Sequence, residues 1–418
     1  MTRGKKPAPL PPVAEIEAIR SQFPALQRRH EGWPVAYFDG PGGTQVPRSV
    51  VEAMSDYLFH HNANTHWEYP TSEETDDCVM EAREILAEFV NGRREEVVFG
   101  QNMTTLTFHL ARGLGREWGP GDEVVITDLD HHANRAPWTA LATERGVTIR
   151  SVPFDPETGV LSMEALESAL SSRTRLLAIG AASNALGTVP DAQAACALAR
   201  SVGALSFVDG VHSAPHVLPD VARLDCDFFV CSPYKFYGPH LGVLWGRRAL
   251  LENVDIPRVD PAPNESPERI ETGTLNHEGL VGAGVAVRFL ADLAPGRRTL
   301  RGALEDAYRV LHERSSALFH RLWDELGSIP RVKRFGPPAD ASRTATAAFT
   351  IEGHTAEKAT RRLAEQAVFV SHGDFYAATV IERLELPADG LLRAGCACYT
   401  TEDEVDRLLE GVASLSRS

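Results

Sequence analysis

The sequence predicts an α/β protein with a large mixed-sheet domain followed by a small C-terminal α+β domain. Three observations predict it. From Glu96 onward, short apolar runs alternate with stretches of helical periodicity, the pattern of an open α/β sheet. Past Val285 that pattern gives way to long helical stretches with two isolated strands. The length, 418 residues with 43% hydrophobic and 24% charged side chains, is enough for two or three domains around a sizeable core.

Charge and cysteine usage narrow the class. With 42 basic against 57 acidic residues the net charge is −15, which argues against nucleic acid or an anionic membrane as the main partner. No run reaches the roughly 18 apolar residues of a membrane span, and the opening MTRGKKPAPLPP lacks the apolar core of a signal peptide. The expectation is a cytoplasmic protein. Six cysteines (Cys78, Cys196, Cys226, Cys231, Cys396, Cys398) form no CxxC pair, so they read as reduced thiols without a metal site or a disulfide framework.

Four segments follow in order: a flexible tail at 1–13, an N-terminal segment at 14–36 that packs on the body, the large domain at 37–284 and the small domain at 285–418. Ala14 to Arg28 suits a short helix broken near Pro24. Tyr37-Phe38-Asp39-Gly40-Pro41-Gly42-Gly43-Thr44 reads as a short strand entering a glycine-rich turn. Val79, Ala82, Ile85, Leu86 and Phe89 make a helical stripe. Strands are expected at Val97–Phe99, Glu123–Thr127, Thr148–Val152, Leu176–Ile179, Leu205–Val208, Phe228–Cys231 and Val243–Trp245. Helices are expected near Thr104–Gly113, Pro137–Arg145, Met163–Ala169 and Ala192–Ser201. In the C-terminal third, Val285–Trp323 is helix-rich, and Thr346–Ile351 and Leu391–Ala397 read as strands. A last helix begins at the capping box Thr401-Glu402-Asp403-Glu404.

Ligands in open α/β sheets sit at the carboxyl ends of the strands, so the residues just after each apolar run carry the functional information. Met103 and Thr104 open a helix whose free amides and hydroxyl can hold a phosphate. Asp130-His131-His132-Ala133-Asn134 offers an imidazole that can stack on a heteroaromatic ring. Asn184 offers an amide to a ring substituent. Asp209 ends an apolar strand, and Ser232-Pro233-Tyr234-Lys235 follows the next one. An acid at one strand end and a lysine after its neighbour suit pyridoxal 5′-phosphate (PLP): the lysine makes the Schiff base and the carboxylate keeps the pyridinium nitrogen protonated.

Together YFDGPGGTQVP (37–47), DHHAN (130–134), SNALGT (183–188), VDGVHS (208–213), SPYKFYGP (232–239) and ETGTLN (271–276) resemble the class V aminotransferase family of fold-type I PLP enzymes. The match is to its cysteine desulfurase and selenocysteine lyase branch and runs from about Phe23 to Leu415. The resemblance implies that Lys235 forms the internal aldimine and moves protons, Asp209 pairs with the ring nitrogen and His131 stacks on the ring. It places Asn184 and His212 at the ring oxygen, the latter where glutamine is common. Met103, Thr104, Ser232 and Tyr234 hold the phosphate, with Tyr234 where histidine is common. Thr274 completes that phosphate site from a second subunit, which implies a homodimer with a shared active site. Arg393 in LLRAGCACY binds the carboxylate of an amino-acid substrate.

One loop departs from the pattern. Cysteine desulfurases carry a nucleophilic cysteine before the last strand, where its thiolate takes sulfur as a persulfide. In Val370–Ala377 that position is Tyr376, and Ser371 stands where arginine is often found. Cys396 and Cys398 are the nearest thiols, and strand alternation points both away from Arg393 into the core. The chemistry that remains proceeds through an external aldimine and a Cα carbanion, with Lys235 as the base. A C–S or C–Se β-lyase acting on cysteine or a cysteine derivative without a protein persulfide leads; an aminotransferase, an epimerase and a non-catalytic PLP-binding scaffold stay open. Tyr376, His372, His66 and Trp67 are candidates for the substrate side, with Tyr376 or His372 as an acid for the leaving group.

Overall fold

The computed structural model describes residues 13–294 and 296–417, so the tail drawn at 1–13 lies outside the described residues except for Val13. Seven strands form the large sheet: β1 Val97–Gly100, β2 Glu123–Thr127, β3 Thr148–Val152, β4 Thr174–Gly180, β5 Leu205–Asp209, β6 Phe228–Cys231 and β7 Gly242–Gly246. Their order is β1-β7-β6-β5-β4-β2-β3. β7 runs antiparallel to both neighbours, with Val243 opposite Phe99 on one side and Cys231 on the other, while the other strand pairs are parallel. This is the mixed α/β architecture expected from the sequence.

The apolar runs form strands because both faces of the sheet are covered, which removes any need for polar alternation. Side chains still alternate between two cores. Phe99, Val125, Leu177, Val208 and Phe229 face one, whereas Val98, Val124, Leu176, Phe207 and Phe228 face the other. Helices α1 Pro70–Val90, α2 Met103–Leu114, α3 Ala136–Arg145 and α4 His277–Asp292 are among those that flank the sheet.

A second sheet contains β8 Val332–Phe335, β9 Thr346–Ile351, β10 Ser371–Gly373 and β11 Leu391–Gly395 in the order β8-β9-β11-β10. It packs on a third core that includes Phe349, Leu392, Val405 and Leu408. Helix α5, Leu300–Ser328, joins the two regions: Leu304, Ala307 and Tyr308 pack in the first core and Leu318, Leu322 and Leu326 in the third. The division drawn at 284/285 therefore needs correction. It cuts α4, whose Leu280, Ala283, Val287 and Leu290 all pack in the first core. The segment 14–36 also does more than lie on the body, because Ala36 and Tyr37 pair in parallel with Val368 and Phe369.

The last helix, α6 Glu402–Ser416, has the expected capping box: Thr401 Oγ1 accepts from the Glu404 N–H at 3.3 Å, and Glu404 Oε2 accepts from the Thr401 N–H at 3.0 Å. Thr401→Ala will remove one of these bonds and cost about 1 kcal/mol, read as a lower urea midpoint with an unchanged slope. Among the described residues no helix is long and apolar enough to cross a membrane.

Candidate active site

Four parallel strands deliver their carboxyl ends to one cleft. Asp209 is the last residue of β5 and Gly180, its register partner, the last of β4; Ser232 follows β6, and Asp130 and His131 follow β2. Met103, Thr104, Asn184, His212, Tyr234 and Lys235 complete the lining. The cleft opens into a cavity of about 570 Å³ bounded by Gly42, Phe108, Phe375, Tyr376 and Arg393 among others.

Lys235 is buried, and its Nζ donates to the carbonyls of Pro41 and Gly42, the latter at 3.1 Å. The glycine-rich turn is thus wrapped over the lysine. The turn packs closely, since a Cβ on Gly43 would meet the Tyr234 ring at 3.3 Å. Burial brings the Lys235 amine down to about 7, helped by the positive charge of Arg393 and opposed by Asp209. Burial also raises Asp209 to about 6, although Oδ1 accepts from the Val211 N–H at 2.9 Å and Lys235 pulls the other way. His131 falls to about 4, again chiefly through burial, and is neutral at physiological pH; its Nδ1 accepts from the Ala133 N–H at 2.9 Å. His212 is held well below the ordinary histidine range by burial, with Nε2 at 3.2 Å from the hydroxyls of Thr344 and Thr346.

Several polar atoms in this cleft are buried without a partner: Asn184 Oδ1, His212 Nδ1 and Ser232 Oγ. Buried polar groups are normally bonded, so three orphans around one lysine mark the place of a polar ligand. Helix α2 supplies more. Its N-cap Asn102 takes the Thr105 N–H at 2.8 Å and leaves the amides of Met103 and Thr104 facing the cleft end of the helix, a site for an anion. An amine, a carboxylate, an imidazole face and a helix N-terminus suit the four parts of PLP.

Arg393 sits across the cavity from the strand ends. It is buried, its Nη1 donates to the Asn184 carbonyl at 2.7 Å, its guanidinium lies 3.9 Å from the centre of the Phe375 ring and its Nε has no partner. Burial lowers it to about 9, which leaves it cationic.

Some expected residues are placed elsewhere. In the antiparallel pair of β10 and β11, Ser371 lies opposite Arg393 and shares its face, whereas His372 lies opposite Leu392. His372 therefore faces the helix-covered side, where its charge acts on Glu357, and is corrected out of the substrate site. His66 is exposed and its Nδ1 pairs with Asp76 at 3.0 Å, away from the lysine cavity of its own chain. Thr274 also lies apart, in a second cleft with Gln101, Thr105 and His109. Tyr376 borders the cavity but is 74% exposed, its ring tilted 5.6 Å from that of His131. Cys396, just past the end of β11, packs in the third core as expected. Cys398 does not follow, because β11 ends at Gly395, and it enters the first core instead.

Two carboxylates were missed as site residues. Asp130, known only as part of DHHAN, is buried beside Asp209, and burial together with that like charge raises it to about 7. Its Oδ1 accepts from the Gly180 N–H at 2.6 Å, so closely that a Cβ on Gly180 would meet it at 2.5 Å. Asp39, in the glycine-rich turn, is half-buried, with Oδ1 buried and unpartnered, and feels the Arg393 charge. The position of each just after an apolar run was the available signal.

A family model described as aminotransferase class-V matches residues 36–408. The chain belongs to the class V aminotransferase family. It is 33% identical to a cysteine desulfurase of Serratia proteamaculans across 96% of this chain and 98% of that one. A cysteine desulfurase of Pectobacterium carotovorum subsp. carotovorum is 35% identical over the same shares. Among solved structures, the apo cysteine desulfurase from Thermococcus onnurineus NA1 superposes with a TM-score of 0.86 at 25% identity, covering 100% of both chains. The Escherichia coli cysteine desulfurase CsdA, in an S-sulfonic acid form, gives 0.84 at 27% identity over 96% of this chain and 98% of that one. This class V chain is a cysteine desulfurase-like, PLP-dependent enzyme of the fold-type I architecture.

Proposed function

We propose that this class V enzyme is a β-lyase that breaks the C–S, or C–Se, bond of cysteine or a cysteine derivative without passing sulfur through a protein persulfide. What supports the reading is the state of the thiols, together with the resemblance by which Tyr376 stands at the loop position that carries cysteine in desulfurases. Five of the six cysteines are buried, and burial pushes Cys196 to about 11 and Cys396 and Cys398 to about 12. Cys226 and Cys231 are raised too, and half-buried Cys78, on α1, is raised by burial and four neighbouring carboxylates. A thiol this far above neutrality holds almost no thiolate.

Bound PLP supplies an electron sink for the pair left when Cα loses its proton. The remaining work falls to side chains. Lys235, near pKa 7, accepts that proton in its free-amine form and is poised at physiological pH. Asp209 would hold the ring nitrogen, His131 the ring face, and Asn184 and His212 the ring oxygen. Met103, Thr104, Ser232 and Tyr234 would hold the phosphate. Arg393 takes the substrate carboxylate and so aims Cα at Lys235. Tyr376, its ring 5.6 Å from that of His131, would serve as an acid for the departing sulfur.

Thr274 of a second copy would complete the phosphate site, which makes the working unit a homodimer. Exposed Val51, Leu58, Phe59, Trp67 and Tyr69 on the segment that carries His66 support such a contact. Six free thiols suit the reducing cytoplasm.

The test is a holoenzyme incubated with cysteine, selenocysteine, S-substituted cysteines and common amino acids, with products identified by mass. Pyruvate with ammonium is expected. A stoichiometric 2-oxo acid would indicate transamination, and an inverted substrate epimerisation; either refutes the lyase. Mass spectrometry after turnover of cysteine is expected to find no sulfur adduct on any of the six thiols. A trapped persulfide would refute that part of the reading.

A further inference from the structure

The cavity over Lys235 carries more apolar lining than free cysteine needs. Its volume of about 570 Å³, which takes in the PLP-side residues Thr104, His131, Tyr234 and Lys235 as well as the substrate side, lies within the roughly 300–1,000 Å³ of ligand pockets. Lys235, Asn184 and Arg393 line the cavity and suit the amino and carboxylate groups of an amino acid. The apolar end, with Phe108, Ala133, Ala136, Phe375 and Tyr376, adjoins these groups, Phe375 lying 3.9 Å from the Arg393 guanidinium. Phe108 stands one helical turn beyond Thr104 on the same face of α2, and the two alanines come from the turn and helix after His131. The titratable group at that end besides Tyr376 is His132, which burial keeps below the ordinary histidine range and which pairs with Thr379 Oγ1 at 3.1 Å.

The roof over this end is built rather than loose. Phe375 and Tyr376 both hold positive φ, +56° and +55°. The Phe375 carbonyl accepts from Asn184 Nδ2 at 2.8 Å, the Tyr376 carbonyl from the His132 N–H at 2.7 Å, and Asp374 Oδ1 from the Tyr376 N–H at 2.9 Å. Two left-handed residues in succession need such fixing, since each is a conformation that non-glycine residues rarely adopt. The bonds hold both aromatic rings over the apolar chamber, and the chamber exists before any substrate arrives.

We infer that the substrate is a cysteine S-conjugate whose sulfur carries a neutral apolar group of benzyl or branched-alkyl size, seated against Phe108, Ala133, Ala136, Phe375 and Tyr376. Its chemistry rests on the β-lyase reading; its binding does not. In the reaction Cα loses its proton to the Lys235 amine and the Cβ–S bond breaks with its electron pair going to sulfur. The carbon–carbon double bond of 2-aminoacrylate forms, and the thiolate takes up a proton and leaves as a thiol. Water converts 2-aminoacrylate to pyruvate and ammonium, and no oxidant or reductant takes part.

The experiment separates binding from turnover. α-Methyl-S-benzylcysteine and α-methylcysteine have no Cα hydrogen, so they bind the holoenzyme without elimination and are titrated through the change in cofactor absorption. The S-benzyl compound is expected to bind at least about tenfold more tightly, the lower end of the roughly 10–200-fold that an added hydrophobic group brings in a fitting pocket. Ala136→Trp, on the exposed rim of the chamber, is expected to erase most of that difference by filling the space. Equal or weaker binding of the S-benzyl compound overturns the inference, as does an Ala136→Trp variant that keeps the full preference. Release of benzyl thiol and pyruvate from S-benzylcysteine supports both conclusions. Tight binding of the S-benzyl compound with no thiol released from S-benzylcysteine retains the chamber and refutes the lyase.

Discussion

Lys235→Ala will abolish covalent retention of PLP and reduce turnover by roughly 10²–10⁴-fold or more, the contribution of a positioned general base alone. The expectation follows from where the amine lies. Lys235 is buried, its Nζ held by the carbonyls of the glycine-rich turn, with Asp209 and Arg393 acting on it from opposite sides in charge. Borohydride treatment followed by peptide mass mapping will place the cofactor on Lys235 in the wild type and find no adduct in the variant. An adduct on another lysine would show that the cleft has been misassigned. The pH dependence has a defined sign. Only the neutral amine attacks an aldehyde, and burial lowers Lys235 from the usual 10.5 to about 7. The initial rate of cofactor capture by the cofactor-free protein is therefore expected to rise with pH up to about 7 and then level. A rise that continues to pH 10 would mean an ordinary exposed lysine is reacting.

Most of the large sheet was legible in the sequence because its inner strands are buried on both faces and read as apolar runs; the edge strand Thr148–Val152 is the exception, with only Val152 buried. Glu123–Thr127 and Phe228–Cys231 have the bounds expected of them, and every residue in both is buried. The small sheet was harder to read. Val332–Phe335 sets two adjacent charged residues between two apolar ones, with Lys333 exposed, and Ser371–Gly373 carries no large apolar side chain, so neither announces a strand. That omission had a consequence at the site. Without β10 there was no register to set beside the expectation for His372; pairing with β11 gives Ser371, not His372, the face of Arg393.

The same limit explains Cys398. Alternation stops at Gly395, where the backbone leaves the strand and the Gly395 N–H bonds to the Phe38 carbonyl. Strand-end chemistry was more transparent than strand geometry. Asp209, His131 and Lys235 each stand at or after the end of an apolar run in sequence, and the fold brings them to one cleft. Thr274 and His66 show the opposite case: neither follows such a run, and neither lies in the lysine cavity of its own chain.

Arg393→Ala is expected to weaken amino-acid binding by roughly 2–5 kcal/mol, the cost of truncating one partner of a buried, hydrogen-bonded charge pair. Arg393 has the free capacity that such a pair needs. Nη1 is committed to the Asn184 carbonyl, whereas Nε is buried without a partner, and its charge survives burial because its pKa falls only to about 9. Asp39 is near enough to favour that charge, yet among the described residues no ion pair within 4.0 Å binds it, so a substrate carboxylate meets an uncompensated guanidinium. Lysine will not substitute well, since it is a point charge on a flexible stem without the planar fork. Arg393→Lys should recover only part of the loss. The readout is the dissociation constant of an α-methyl amino acid, with intact cofactor absorption as the control for folding, because Arg393 also lies against Phe375. A loss confined to kcat would mean that the guanidinium orients a substrate held elsewhere. Unchanged affinity in both variants would move the carboxylate site away from β11 altogether.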